Sequence, residues 1–242
     1  NNSPIFKTPI DKNYFFGYYD KSPISSDKKK CLCLEVDFID RMPEKGDTAR
    51  IGYFDLELND GIFHNLTRTK TFNWQQGCML QWFGDKNTHI IYNDLVDGEF
   101  KAIVFNIVEC QKNILSMAFY TLAPDSRFAL CIDNERHYWV RRGYSYDGIV
   151  NHKKDRNIVK SDGIFFLNIE NNKVEKIINI CDLLKINPIA SMKDGVHYLE
   201  HLMISPCGKR FSFFHRWKIN DGGIYARMYT ANIDGSDLFL LN

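Results

Sequence analysis

A chain of 242 residues, 44% of them hydrophobic and 14% aromatic, can bury a full core without help from metals or disulfides. Lys and Arg number 31 against 30 Asp and Glu, no basic stripe rises above this mixed background, and no stretch approaches the roughly 18 apolar residues of a membrane span; a nucleic-acid binder and a membrane-spanning helix are both set aside. Seven scattered cysteines among apolar neighbours read as free thiols of a reducing compartment, so a cytoplasmic protein is expected, while the opening Asn1-Asn2-Ser3-Pro4 leaves room for a removed leader.

Along the chain a two-part pattern repeats. Ser22-Pro23 to Leu34 reads as a polar corner leading into a strand, and Ile51 to Leu66 as a hairpin turning at Asn59-Asp60-Gly61. The pair returns at Gln81 to Tyr92, with Gly84-Asp85 at the corner, and at Ala102 to Leu115, turning at Glu109-Cys110-Gln111. It returns again at Ala123-Pro124 to Cys131 and Gly163 to Ile178, turning at Asn171-Asn172-Lys173, and finally at Ser205-Pro206 to Phe214 and Met228 to Leu241, turning at Asp234-Gly235-Ser236. Hairpin after hairpin makes four short strands per repeat, the signature of a propeller blade.

The expected fold is therefore an all-β β-propeller of four-stranded antiparallel blades: a single domain over 1–242 with blades at 17–68, 73–116, 117–180 and 196–242. The apolar residues alternate instead of recurring three and four apart, which argues against a helical solenoid; a β-sandwich of irregular hairpins is the competing arrangement. Ile180 to Ile186 is the one segment read as a short helix. Four blades seldom close on themselves, so the expectation is a larger ring of about seven blades, incomplete at the C-terminus, or a partner chain covering the open edges.

Most polar motifs fall where a blade's first strand begins or its second ends, and these positions share one end of a blade. Tyr18, Tyr19 and Asp20 precede the first blade's opening strand; Trp74, Gln75 and Gln76 lead into the second blade, and Tyr92, Asn93 and Asp94 leave it. The third blade exits through Asp133, Arg136, His137, Arg141, Arg142, Tyr144 and Tyr146, within a long loop from Asn134 to Ser161 that is expected to be ordered at Arg141-Arg142 and mobile from Asn151 to Lys160. The fourth begins with His197 and His201 and exits through His215, Arg216 and Trp217. Guanidinium forks suit carboxylates, while amides and aromatic rings suit hydroxylated rings. An acidic glycan or oligosaccharide is thus the expected partner, contacted by Tyr19, Trp74, Gln75, Gln76, Asn93, Tyr144, Arg216 and Trp217; the plain alternative is that these residues pave the blade junctions.

His197 and His201 stand four apart on a strand and so should share a face, with His215 opposite them across the Pro206-Cys207-Gly208 turn. In a favourable register the imidazoles converge and suit a divalent metal of the manganese, iron or zinc type, with His201 and His215 as ligands. The bland reading is a set of hydrogen-bonded core histidines.

The strings Gly17-Tyr18-Tyr19-Asp20-Lys21-Ser22-Pro23, Asn73-Trp74-Gln75-Gln76-Gly77-Cys78, Arg142-Gly143-Tyr144-Ser145-Tyr146 and His201 through Ser205-Pro206 to His215-Arg216-Trp217 resemble an uncharacterised family of bacterial TolB-like and WD40-like propellers. That resemblance covers nearly the whole chain and implies an association with polysaccharide gene clusters. More distantly, the fourth blade is similar to oligogalacturonate lyases, seven-bladed propellers that use a histidine-bound divalent metal to break uronic-acid chains. This second resemblance implies a metal-ligand position at His201 and a similar strand-end position at His215, with further His and Gln ligands drawn from a later blade that this chain lacks. Two functions follow as expectations. One is a lyase in which His197 is the base, Arg141 or Arg142 clamps the uronate carboxylate and His201 and His215 hold a manganese-like ion, with a hydrolase using Glu35, Asp37, Asp94 or Asp133 as its weaker variant. The other is a non-catalytic module that binds a glycan or a protein partner in polysaccharide assembly.

Overall fold

The structure, a computed structural model, describes residues 8–84, 87–149, 156–220 and 222–241. Within these residues sixteen strands form four antiparallel sheets of four, and in every sheet the spatial order is the chain order. The first sheet holds β1 (Asn13–Phe15), β2 (Lys30–Val36), β3 (Ala49–Asp55) and β4 (Phe63–Thr69), the second β5 (Gln81–Trp82), β6 (His89–Val96), β7 (Glu99–Asn106) and β8 (Gln111–Ile114). The third holds β9 (Thr121–Leu122) and β10 (Phe128–Cys131), then, beyond the helix α1 (Asn134–Val140), β11 (Gly163–Asn168) and β12 (Val174–Asn179). A second helix, α2 (Ile180–Leu183), and a 3₁₀ turn at Ala190–Met192 lead to the fourth sheet, β13 (Val196–Ile204), β14 (Arg210–Lys218), β15 (Ile224–Asn232) and β16 (Phe239–Leu240).

The alternation read in the sequence is what builds these sheets. Along β14, Phe211, Phe213, His215 and Trp217 are buried while Arg210, Ser212, Phe214, Arg216 and Lys218 are partly exposed, the two-residue period of a strand with one face packed. The tight corners use left-handed backbone where small polar side chains tolerate it, at Asn59 and Asn172 among others. Chain contacts divide the molecule into two compact units, one of Asn1–Leu115 with Gly143–Gly148, the other of Ser116–Arg142 with Ile149–Asn242. In the first unit the core is built from Leu32, Leu34, Ile51, Leu80, Ile90, Ile103 and Phe105. All seven cysteines are free. No helix among the described residues is long and apolar enough to cross a membrane.

Three expectations change. The first sheet starts at Asn13, so Tyr18, Tyr19 and Asp20 do not precede its first strand but swell out of the link between β1 and β2. Gly17 makes the departure: its φ is 138°, and a Cβ there would meet the Gln76 carbonyl oxygen at 2.8 Å. The long loop after the third blade opens on a helix, α1, where none was expected. Asp133 caps it by accepting from the Arg136 backbone N–H at 3.0 Å, and Glu135 sits favourably in the first turn. Beyond α1, Gly143–Gly148 packs into the first unit, where Tyr146 accepts from Asn93 Nδ2 at 3.0 Å and its ring lies 5.6 Å from Phe100. The predicted turn residue Asp85 and the stretch from Asn151 to Asp155 lie outside the described residues. The third change separates His201 from His197 and His215 across the fourth sheet.

Candidate functional site

The fourth sheet organises the second unit's polar chemistry. Antiparallel pairing of β13 with β14 sets His197 against Trp217, Tyr198 against Arg216, Leu199 against His215 and Glu200 against Phe214. Because side chains alternate, His197, His215 and Trp217 share one face of the sheet, and Tyr198, Glu200, Phe214 and Arg216 share the other. The register then shifts between Glu200 and Met203, and His201 takes a φ of 56°. This bulge resets the alternation, so that His201 stays on the side of Glu200: its Nδ1 lies 3.5 Å from Glu200 Oε1 and its ring 5.8 Å edge-on from Phe214. The expectation that His197 and His201 share a face therefore fails, and the expected metal pair, His201 and His215, is split across the sheet.

On its own face the Glu200 carboxylate is fully buried and ringed by positive or proton-bearing groups. Arg216 Nε lies 2.7 Å from Oε1, while His137 Nε2 and Arg141 Nε lie 3.3 Å and 3.6 Å from Oε2. Helix α1 explains two of these: His137 lies within it, and Arg141 is its C-cap, whose backbone N–H donates to the His137 carbonyl and holds the two residues together. Lys218 bonds the carbonyl of Val140, fixing the end of α1 to β14 and placing a cation where the helix dipole is negative. Burial alone would push the Glu200 carboxyl up, but hydrogen bonds from His137 and His201 and the charge of Arg216 hold it well below the usual carboxylate range. Burial pushes the His137 imidazole down, as it does the Lys218 ammonium with help from Arg141. Two arginines and two imidazoles thus flank one buried anion, and the side chains of Arg141, Arg216 and His201 retain 29%, 21% and 23% of their exposure.

The opposite face is closed. His197 Nε2 sits 2.8 Å from the carbonyl oxygen of Met192, which can only accept, so Nε2 carries the proton and Nδ1 accepts from His215 Nε2 at 2.9 Å. Both imidazoles are fully buried. Burial, then His197 and Arg227, push the His215 pKa down to about 3, and burial lowers that of His197. Trp217 is buried against both rings, at 5.9 Å and 5.4 Å, and donates from Nε1 to Ser191 Oγ at 3.2 Å. The base expected at His197 has both nitrogens committed, and the substrate contact expected of Trp217 has no surface to act through.

The other candidates are placed as follows. Arg142 lies over the rings of Tyr138 and Trp139, at 5.7 Å and 5.3 Å. In the first unit, Gln76 and Asn93 are buried, the latter held by Tyr146; Tyr144 is half-buried, and Gln75 is exposed. Trp74 donates from its indole to the Arg41 carbonyl at 2.8 Å within an aromatic group of Phe15, Phe38 and Phe72. Tyr19 is 80% exposed and stacks at 4.4 Å on Tyr18. Of the predicted site residues only Arg141, Arg216 and His201 meet at one centre, and its hub, Glu200, was not among them; His137 was placed at the third blade's exit but given no role. A carboxylate set between two histidines on a largely apolar strand, Val196 to Ile204, is the signal that marks it. Among the described residues no group of three or more His, Cys, Asp or Glu side chains is arranged to hold a metal ion. His201 and His215 do not fit one together.

Four-stranded antiparallel meanders repeated four times, with little helix, define the class: this is an all-β fold of the β-propeller type. Two solved structures make the likeness particular. TolB from Acinetobacter baumannii is 12% identical with a TM-score of 0.51 over 96% of this chain and 44% of its own. An oligogalacturonate lyase from Vibrio parahaemolyticus is 14% identical with a TM-score of 0.58 over 96% of this chain and 54% of its own. This chain spans about half the length of each, and at such identity the likeness is one of fold. No protein-family profile matches the chain, and no curated protein does.

Proposed function

We propose that the chain binds an acidic oligosaccharide through the Glu200-centred cluster of its second unit. One observation carries the reading: Arg141 and Arg216 both reach the buried Glu200 carboxylate, Lys218 lies close enough to feel its charge, and both arginines keep part of their side chains at the surface. Two partly exposed guanidiniums beside one buried anion favour a carboxylate over a neutral sugar, because charge-assisted hydrogen bonds are roughly twice as strong as neutral ones. The matched lyase is named for oligogalacturonate, a chain of uronic acids, which supports the same ligand class. Calorimetry with a short oligogalacturonate and a neutral malto-oligosaccharide of equal length tests it. Binding of the acidic sugar alone, weakened by salt, is expected; equal binding of both, or of neither, would remove the reading.

A second reading, elimination chemistry at the same cluster, is favoured by one arrangement. His201 is partly exposed, held beside Glu200, and next to two arginines that would offset the charge on a uronate carboxylate as its neighbouring proton is taken. Appearance of the ultraviolet absorbance of an unsaturated uronate, lost in His201→Gln, is its expected outcome; a flat trace with every uronate polymer tried would reduce the site to a binder.

A further inference from the structure

We propose that the second sheet carries a further ligand site, independent of the Glu200 cluster, for the acetamido group and ring of an uncharged N-acetylated sugar. The register of the sheet builds it. Asn106 pairs with His89 on one side and with Gln111 on the other, and the Phe83 backbone N–H donates to the His89 carbonyl at 3.0 Å. One row of side chains therefore crosses the sheet on a single face, from the end of β5 to β8. Two residues along, Val104 pairs with Asn113 and sets a buried apolar side chain beside a second exposed amide. A cavity of about 470 Å³ opens over these residues, within the size range of small-molecule sites.

The lining selects the chemistry of the ligand. Phe83, partly buried, and Val104, buried, supply an apolar floor. Beside it stand the amides of Gln111 and Asn113, which make no side-chain hydrogen bond among the described residues and can each donate and accept. The His89 imidazole engages the Thr88 hydroxyl through Nδ1 at 3.0 Å, so Nε2 is the ring nitrogen left for a partner. Asn106 is committed to the turn: Oδ1 accepts from the backbone N–H groups of Val108 and Glu109, and Nδ2 donates to Glu109 Oε2 at 3.1 Å, which fixes the corner leading into β8. Glu109 and Lys112 also border the cavity, and their opposite charges offset each other, so the site favours an uncharged ligand. An acetamido group matches this division. Its methyl lies on the apolar floor, its N–H and C=O meet a side-chain amide in both directions, and the ring hydroxyls take the remaining donors and acceptors.

Titration of the full chain with diacetylchitobiose, an uncharged dimer of N-acetylglucosamine, followed by ligand-observed NMR, tests the proposal. The sugar should bind, and maltose, adenosine and digalacturonate at equal concentration should not displace it. Asn113→Ala, on an exposed strand, should weaken binding about fivefold, the loss of one net hydrogen bond. Phe83→Ala should weaken it on the order of tenfold or more, and Phe83→Leu, which keeps an apolar floor, should recover part. Lys185→Ala, in an exposed ion pair with Asp182, is the control and should bind as the parent does. Displacement by maltose or adenosine overturns the acetamido assignment, and displacement by digalacturonate overturns the independence of the site from the Glu200 cluster. Absence of binding, or parental affinity in both Asn113→Ala and Phe83→Ala with their folds verified by circular dichroism, overturns the site itself while leaving the acidic-sugar reading standing.

Discussion

Glu200 is a carboxylate with no solvent of its own, and its ionised form survives only because Arg216, Arg141 and two imidazoles replace the water it lost. Glu200→Gln keeps the shape and removes the charge, leaving the cations beside it uncompensated. Breaking a buried pair this way costs about 3–5 kcal/mol, and the partial exposure of both arginines places this case at the lower end. A urea titration should therefore show a clear loss of stability, and a variant as stable as the parent would mean that the cations find other partners and that Glu200 is not their organiser. A carboxylate in a largely apolar strand hints at a buried charge, but the residue types alone do not name its partners. Glu200 stands between Leu199 and His201, and only the pairing with Phe214, the ion pair with Arg216 and the residues of α1 and its C-terminus turn an isolated carboxylate into a centre.

At the scale of elements, strands were legible and the two features that shape the site were not. Alternation along β14 comes from one packed face, while β2 and β6 carry short runs of buried residues between turn signals, and both patterns survive in the sequence whatever the neighbours are. Helix α1 has only seven residues, and its buried positions are Asn134, Arg136, His137 and Val140, so a polar surface faces inward and no apolar stripe announces it. Its cap was the available signal: Asp133 three residues before Arg136. The bulge at His201 is a matter of register, and a one-residue slip that moves a side chain across a sheet leaves no mark on spacing. Removing the cap tests whether α1 positions Arg141 beside Glu200. Asp133→Ala should cost about 1 kcal/mol of stability and weaken acidic-sugar binding, since Arg141 and His137 ride on the helix; Asp133→Asn, which can still cap, should restore both. Unchanged melting and binding in Asp133→Ala would show that Lys218 and the strand hold Arg141 without the helix.

For the whole molecule, the fold class was readable because the repeat recurs four times, while the function was not, because the polar residues that the repeat gathers serve different ends once packed. Gln76, Asn93 and Trp217 became interior parts, and so did the His197–His215 pair. That pair has a consequence for stability as a whole. Its folded pKa values are depressed, His215 to about 3 from an ordinary 6.5, so the unfolded chain binds protons that the folded chain refuses. Stability is then complete above about pH 6.5 and is lost progressively as pH falls toward 3, with His215 alone contributing about 2 kcal/mol of loss at pH 5. His137, lowered by burial, acts in the same direction. Glu200 is depressed instead from a carboxylate value of 4.5, and its contribution is present above that pH and fades only below it, so pH 5 reports on the imidazoles before the carboxylate matters. Thermal melts at pH 7.5 and 5.0 in matched ionic strength should differ by several degrees, with most of that difference removed in a His215→Phe variant that still folds. Equal melting temperatures at the two pH values would mean that the imidazoles open to solvent and take up protons without cost, against the closed face described for them.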